Sequence, residues 1–345
     1  SSDVCSSDLG KKIYLTGEAD KQGTLFCLSL TGDILWKASY GEDFTASYPG
    51  ARTTPTIDGE NVYVISGTGI VSCFTAKDGK EVWKVDTKQK FGASIPQWGI
   101  AESVLIDGDN LICTPGGNDA SLVALNKKTG ETVWTSKGLS EKSAYCSSIA
   151  VNHGKTRMVI TMVAKSIVGL DAKTGALLWR HPHETQYDVQ AVTPIYRKGL
   201  VFASSDYGSG SVIIKIAEDG KSVKEIWKGP KPDVHHGGIV LVGDTVIGST
   251  AQSWIGVDMD SGKQKWESPG VKKGSVLALG DDFIICYGES GEVALMKVSA
   301  GGLDKKGSFQ VTQGSGEQWA HPVVSDGVLY IRHGASLMAY DVKGN

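Results

Sequence analysis

Short apolar runs, alternating or continuous, recur along the whole chain, each closed by a turn that pairs glycine with aspartate, threonine or serine. In one stretch they read as strands over 54–57, 61–66, 70–75 and 81–85, separated by turns that include Asp58-Gly59 and Asp78-Gly79. Apolar alternation between tight Asp-Gly turns predicts antiparallel hairpins. Equivalent first turns sit at Asp107-Gly108, His153-Gly154, Lys198-Gly199, Gly243-Asp244, Gly280-Asp281 and Asp326-Gly327. The second turn of each unit carries a stricter signature, a tryptophan four residues after the turn glycine: Gly32 to Trp36, Gly79 to Trp83, Gly130 to Trp134, Gly175 to Trp179 and Gly262 to Trp266. A sixth copy, Asp219-Gly220 to Trp227, carries a small insertion, and degenerate copies follow at Gly307-Phe309 and Asp341-Gly344.

The six tryptophans are spaced 47, 51, 45, 48 and 39 residues apart. A period of roughly 40–50 residues with four strands per repeat is that of a propeller blade. The units run over 11–45, 50–92, 97–140, 145–185, 189–230, 235–270, 274–312 and 318–345, which makes eight and predicts one all-β domain over 11–345. The first unit is expected to lack its innermost strand and the eighth to stop before its outermost one. The fold is therefore expected to be incomplete at its closure, with exposed strand edges there. Residues 1–9 show no strand pattern and read as the translation of a short-read sequencing adapter, so they are set apart from the repeat.

Composition narrows the partners. A net charge of -3, with no Lys/Arg run longer than two, supplies no basic field for a phosphate backbone, so nucleic acid is excluded as a partner. No stretch approaches the ~20 apolar residues of a membrane helix. Cys27, Cys73, Cys113, Cys146 and Cys286 form neither a CxxC motif nor an adjacent pair. Cys27 and Cys73 fall where other copies have Ala124, Gly169 and Gly256, which predicts small buried fillers.

The phrases Leu125-Asn126-Lys127-Lys128-Thr129-Gly130-Glu131-Thr132-Val133-Trp134 and Leu170-Asp171-Ala172-Lys173-Thr174-Gly175-Ala176-Leu177-Leu178-Trp179 resemble the tryptophan-docking repeat of the pyrroloquinoline quinone (PQQ)-like propellers. That superfamily includes the eight-bladed quinoprotein alcohol dehydrogenases and the propeller lipoprotein of the outer-membrane β-barrel assembly machine. The resemblance implies an eight-bladed propeller in which Trp36, Trp83, Trp134, Trp179, Trp227 and Trp266 wedge between blades. It also implies a periplasmic or otherwise extracytoplasmic location. A quinoprotein dehydrogenase is expected to show adjacent cysteines near its quinone, calcium ligands and a catalytic Asp. No adjacent cysteines occur here, so no catalytic residue is assigned, and PQQ with calcium is a cofactor pair that no motif supports.

In a propeller the entrances to the innermost strands converge. That column holds Arg52, Gln97, Trp98, Glu102, Tyr145, Asp188, Gln190, His235, His236, Lys273, Gln318, Trp319 and His321, followed by small Ser, Thr, Gly and Pro residues. Read as a ligand site, it offers Trp98 and Trp319 as stacking faces and Arg52, Glu102 and His235 as orienting groups for a small molecule or polymer. Read otherwise, it is a solvated lining. His235-His236 with His321 is not assigned as a metal site, because adjacent histidines on a strand face opposite sides and no acid has ligand spacing. The Gly-rich loops 114–119 and 204–208 join strands and read as turns at the mouth. The expected role is a monomeric, non-catalytic binding or scaffold module of the cell envelope, with a ligand at the funnel or a protein partner on the rim. The alternative is a quinoprotein-type oxidoreductase that lacks the adjacent-cysteine hallmark.

Overall fold

The computed structural model describes residues 5–7, 12–20 and 22–343. They form the blades of an all-β, eight-bladed propeller fold, each blade an antiparallel sheet whose strands follow one another in sequence. The second blade is representative, with strands Thr56–Asp58, Asn61–Ile65, Ile70–Thr75 and Glu81–Asp86. The other blades span 5–42, 105–135, 149–182, 195–229, 239–268, 274–310 and 323–341. The last has three strands among the described residues, and the rest have four. The chain packs as two compact units, Ser1–Pro182 and His183–Asn345, with four blades in each.

One expectation is corrected. The first blade does have an innermost strand, since Cys5–Ser7 pairs with Lys12–Tyr14, inside the segment read as unrelated to the repeat. Edge pairing uses backbone N–H and C=O groups and needs no apolar alternation, so a pattern search does not register it. The remainder of 1–9 lies outside the described residues. A short helix, Thr87–Phe91, also follows the second blade, capped by the Asp86 carboxylate on the N–H groups of Lys88 and Gln89. Five residues are too few to show a helical period.

The two middle strands of each blade carry continuous apolar runs because both of their faces are covered. Val62, Tyr63, Val64 and Ile65 are fully buried. Tyr63, Ile65, Val71, Cys73 and Trp83 of the second blade pack with Ile100 and with Leu111, Cys113, Val123 and Leu125 of the third. Outer strands such as Glu81–Asp86 alternate exposed and buried positions instead.

The tryptophan repeat is explained by its register. In the first four blades and the sixth a small residue stands opposite, Cys27 pairing with Trp36, Cys73 with Trp83, Ala124 with Trp134, Gly169 with Trp179, and Gly256 with Trp266, while in the fifth Ile213 pairs with Trp227. Each pairing is followed at once by a bulge. The small residue opposite leaves room for the indole, and the bulge turns the strand. Within each unit the ring then lies on the turn glycine of the next blade. A Cβ on Gly79, Gly130, Gly175 or Gly262 would meet Trp36, Trp83, Trp134 or Trp227 at 2.5, 2.8, 2.5 and 2.1 Å respectively. Those glycines also hold φ between +71° and +73°. Two indoles reach further, Trp83 Nε1 donating to Lys127 O at 3.0 Å and Trp134 Nε1 to Ala172 O at 3.1 Å. In the seventh blade Gly307 stands at the tryptophan register opposite Leu295, which is 38% exposed, so the degenerate copy carries no wedge.

Trp134→Ala removes a ring that is 6% exposed and is expected to destabilise the chain by about 3–5 kcal/mol. Gly175→Ala should cost more than about 1 kcal/mol through strained φ and the clash with the same ring. Urea midpoints measure both, and an unchanged midpoint for Trp134→Ala would refute the wedge.

Candidate functional site

Around the strand entrances neighbouring blades are bonded to each other, mostly through hydroxyl side chains. Thr16 Oγ1 donates to Thr53 O, Thr56 Oγ1 to Val104 O at 2.7 Å, and the Ser103 N–H to Ser147 Oγ at 2.9 Å. In the second unit Ser249 Oγ donates to Gly274 O at 2.9 Å, and the Val276 N–H to Gly237 O at 3.1 Å. Hydroxyls and bare glycine backbone suit this crowding, for a Cβ on Gly237 would lie 2.0 Å from Gly274 O. The loops that enter these strands are therefore carried on a cross-bonded base.

In the first unit Arg52, Trp98, Glu102 and Tyr145 come from such loops. The Arg52 guanidinium donates to the carbonyls of Phe44, Ser47, Tyr48 and Gly50 and lies 4.8 Å from the Phe44 ring centre, so it closes the 44–50 loop. Trp98 lies 6.2 Å from Tyr145, ring to ring, at 48°, with Gln97 exposed beside it. Glu102 is 1% exposed. Its Oε1 accepts the Thr114 N–H at 2.7 Å, while its buried Oε2 has no hydrogen-bond partner. Burial raises this carboxyl to about 7, despite the bond from Thr114.

The second unit holds a larger cluster. Tyr207 Oη lies 3.2 Å from His235 Nε2, and Lys273 Nζ lies 3.0 Å from His235 Nδ1. Lys273 Nζ is also 3.1 Å from Glu289 Oε1, which lies 3.2 Å from His236 Nε2. These last two contacts miss hydrogen-bond alignment, leaving Glu289 Oε1 and both His236 ring nitrogens buried without a hydrogen-bond partner. The rings run on from Tyr187 to Tyr207, His235, His236 and Trp319, with successive centres 5.9, 5.4, 4.6 and 5.0 Å apart. Burial first, then the charges of His236 and Lys273, pushes His235 down to about 4. Burial likewise lowers His236, so both rings are neutral at neutral pH. At Glu289 the pull of His236 and Lys273 outweighs burial and lowers the carboxyl.

The adjacent histidines do not face opposite sides as a strand would require. Residues 235–238 form a bend before the strand Ile239–Val242, and their two rings pack at 4.6 Å. Among the described residues no group of three His, Cys, Asp or Glu side chains could hold a metal. His321 Nε2 lies 3.1 Å from His236 O, which sets it behind the cluster. Gln318 Oε1 accepts from Tyr287 Oη at 2.9 Å. Gln190 is fully buried, donating to His183 O at 2.7 Å and accepting from Ser205 Oγ at 2.5 Å. Asp188 lies beside Tyr187 in a left-handed turn.

Tyr187 and Glu289 were not assigned from sequence, and Tyr207 was read only as part of a turn at the mouth. Tyr207 and Glu289 occupy turns between the second and third strands of their blades. In an antiparallel meander that turn lies at the same end as the entrance to the first strand. Reading those turns together with the entrances would have joined Tyr207 to the column and found Glu289.

Because its folded carboxyl titrates near 7, Glu102 keeps a proton that the unfolded chain releases near 4.5. The stability tied to that proton is complete below about pH 4.5 and is lost as pH rises toward 7. Glu102→Gln, fixed in the neutral form, should match wild type at acid pH and exceed it by about 2–3 kcal/mol above neutrality. Urea unfolding at the two pH values checks this, and a gap independent of pH would sink it.

The chain matches, over residues 21–268, the family described as outer membrane protein assembly factor BamB. BamB of Kangiella koreensis is 26% identical over 202 residues, 57% of this chain and 46% of that protein. Quinoprotein alcohol dehydrogenase PedH of Pseudomonas putida is 31% identical over 157 residues, 43% of this chain and 25% of that protein. These matches span less than half the length of either relative. Among solved structures, BamB from Moraxella catarrhalis superposes with a TM-score of 0.70 at 17% identity, covering 98% of this chain and 97% of that one. Quinohemoprotein alcohol dehydrogenase from Comamonas testosteroni superposes with a TM-score of 0.67 at 13% identity, covering 96% and 70%. Both superpositions show the propeller fold.

Proposed function

The chain belongs to the outer membrane protein assembly factor BamB family of PQQ-like repeats, and we propose from this that it is a non-catalytic scaffold of the cell envelope. The observation that carries the reading is the match across 21–268, which runs from the first blade through the sixth. Most of the recurring vocabulary of the repeat goes to wedges between blades, which leaves many loops to offer. A protein partner on the blade rims suits such loops, with a smaller ligand held at the strand entrances. The protein acts as a monomer in the periplasm, in keeping with the outer-membrane role in its relatives' names.

The cysteines weigh against quinone chemistry. Cys27, Cys73, Cys113, Cys146 and Cys286 are buried, unpaired and separate, and burial raises the thiols of Cys73, Cys113, Cys146 and Cys286. They serve as packing groups. In a Gram-negative strain lacking its own assembly factor, this chain behind a lipoprotein leader is expected to restore outer-membrane protein levels. Purified protein given PQQ and calcium should show no dye-linked oxidation of ethanol or glucose. PQQ-dependent turnover would replace the scaffold reading with an oxidoreductase.

A further inference from the structure

The second-unit cluster has properties that neither packing nor scaffolding explains. Tyr187 and Tyr207 are 55% and 39% exposed, and both sit in the left-handed region, at φ 62° and 60°. A bulky residue there is strained, and glycine would be the stable choice. Two loops of one blade thus hold tyrosine rings out to solvent against local stability, and the rings meet edge to face at 83°. The series continues inward through His235 to Trp319, with hydrogen-bonding groups set between the rings. Lys273 and Glu289 each keep about a third of the side chain exposed, 29% and 30%.

We propose that Tyr187, Tyr207, His235 and Trp319, with Lys273 and Glu289 between them, form a platform for a neutral glycan chain. A pyranose has an apolar C–H face and a rim of hydroxyls. The first needs exposed aromatic rings, and the second needs carboxylate, ammonium and imidazole groups that both donate and accept. From Tyr187 through His236 to Trp319 successive ring centres lie 5.9, 5.4, 4.6 and 5.0 Å apart, a series long enough to meet more than one hexose. Charge selects a neutral chain. Asp206 acts on both His235 and Asp233, and with Asp188 and Glu289 these carboxylates outnumber Lys273 and Lys231. An anionic polymer would be repelled. A protein hot spot fits less well, because the centres of such interfaces are depleted in Lys, Glu and Asp.

The inference deepens the binding half of the proposed function and rests on it. The restoration assay tests the scaffold half separately, so failure of one is distinguishable from failure of the other. Isothermal titration of the full chain with cellohexaose and with chitohexaose is expected to show binding of at least one. Tyr187→Gly and Tyr207→Gly should each weaken it tenfold or more while the melting temperature holds or rises, since glycine relieves the strained backbone. Ile226→Ala, an exposed change on the outermost strand of the same blade, should leave binding unaltered. No binding of either hexasaccharide by wild type would overturn the proposal, as would equal binding by the glycine variants. A fall in melting temperature alongside lost binding would make the tyrosines packing groups and overturn it too. Loss of restoration in the glycine variants without any glycan binding would give the platform to a protein partner instead.

Discussion

The seating of an indole on a bare glycine is the constraint from which the rest of the architecture follows. At Trp83 on Gly130, and again at Trp134 on Gly175, the ring fills the space a Cβ would need, and its Nε1 is bonded to a carbonyl of the next blade. One contact thus supplies apolar area, a hydrogen bond and a fixed angle between neighbours. It asks of the sequence glycine at positive φ in the receiving turn and a bulge beside the tryptophan, with a small residue opposite it in every tryptophan blade but the fifth, where Ile213 stands. Blades held this closely come near enough for Ser and Thr hydroxyls to bond from one blade to the next. The strand entrances inherit that precision.

Polar side chains at those entrances are sorted by what surrounds them. Arg52 and Gln190 direct their groups to nearby carbonyls and a hydroxyl, and so serve the loops they stand in. Glu102 is more deeply placed, with one oxygen bonded and the other not, and its burial favours the protonated form. Lys273 and Glu289 stay partly in water, which keeps their charges affordable and their hydrogen-bonding capacity usable. Only the last arrangement leaves chemistry at a surface where a ligand could meet it.

The sequence was most readable where a physical demand repeats. The tryptophan and its turn glycine recur in six copies, so blade number, strand order and the buried fillers Cys27 and Cys73 were all legible. Backbone pairing by Cys5–Ser7 was not, because an edge strand makes no demand on side chains. The site was legible in part. Reading the column of strand entrances found His235, His236 and Trp319, yet it grouped them with Arg52 and Gln190, whose partners are internal. It also treated 235–236 as strand, and the bend there brings the two imidazoles together. Glu289 escaped because it belongs to a different turn, one that meets the column only once the meander is folded, and Tyr207, in a turn read at the mouth, was not joined to the column.

That turn between the second and third strands is where the blades differ most in chemistry. In the second blade it is Ser66-Gly67-Thr68-Gly69, and the glycines there are compelled: a Cβ on Gly67 would meet Phe44 Cβ at 2.7 Å, and one on Gly69 would meet Thr87 Oγ1 at 2.6 Å. In the fifth blade the corresponding turn carries Tyr207, itself at positive φ, whose ring lies beside His235. In the seventh it carries Glu289 between His236 and Lys273. A repeat whose stability resides in its outer wedges leaves this inner turn free to depart from glycine. Local strain accepted at such a turn is paid back elsewhere in the blade, which is why the side chains found there are better guides to function than the repeat that supports them.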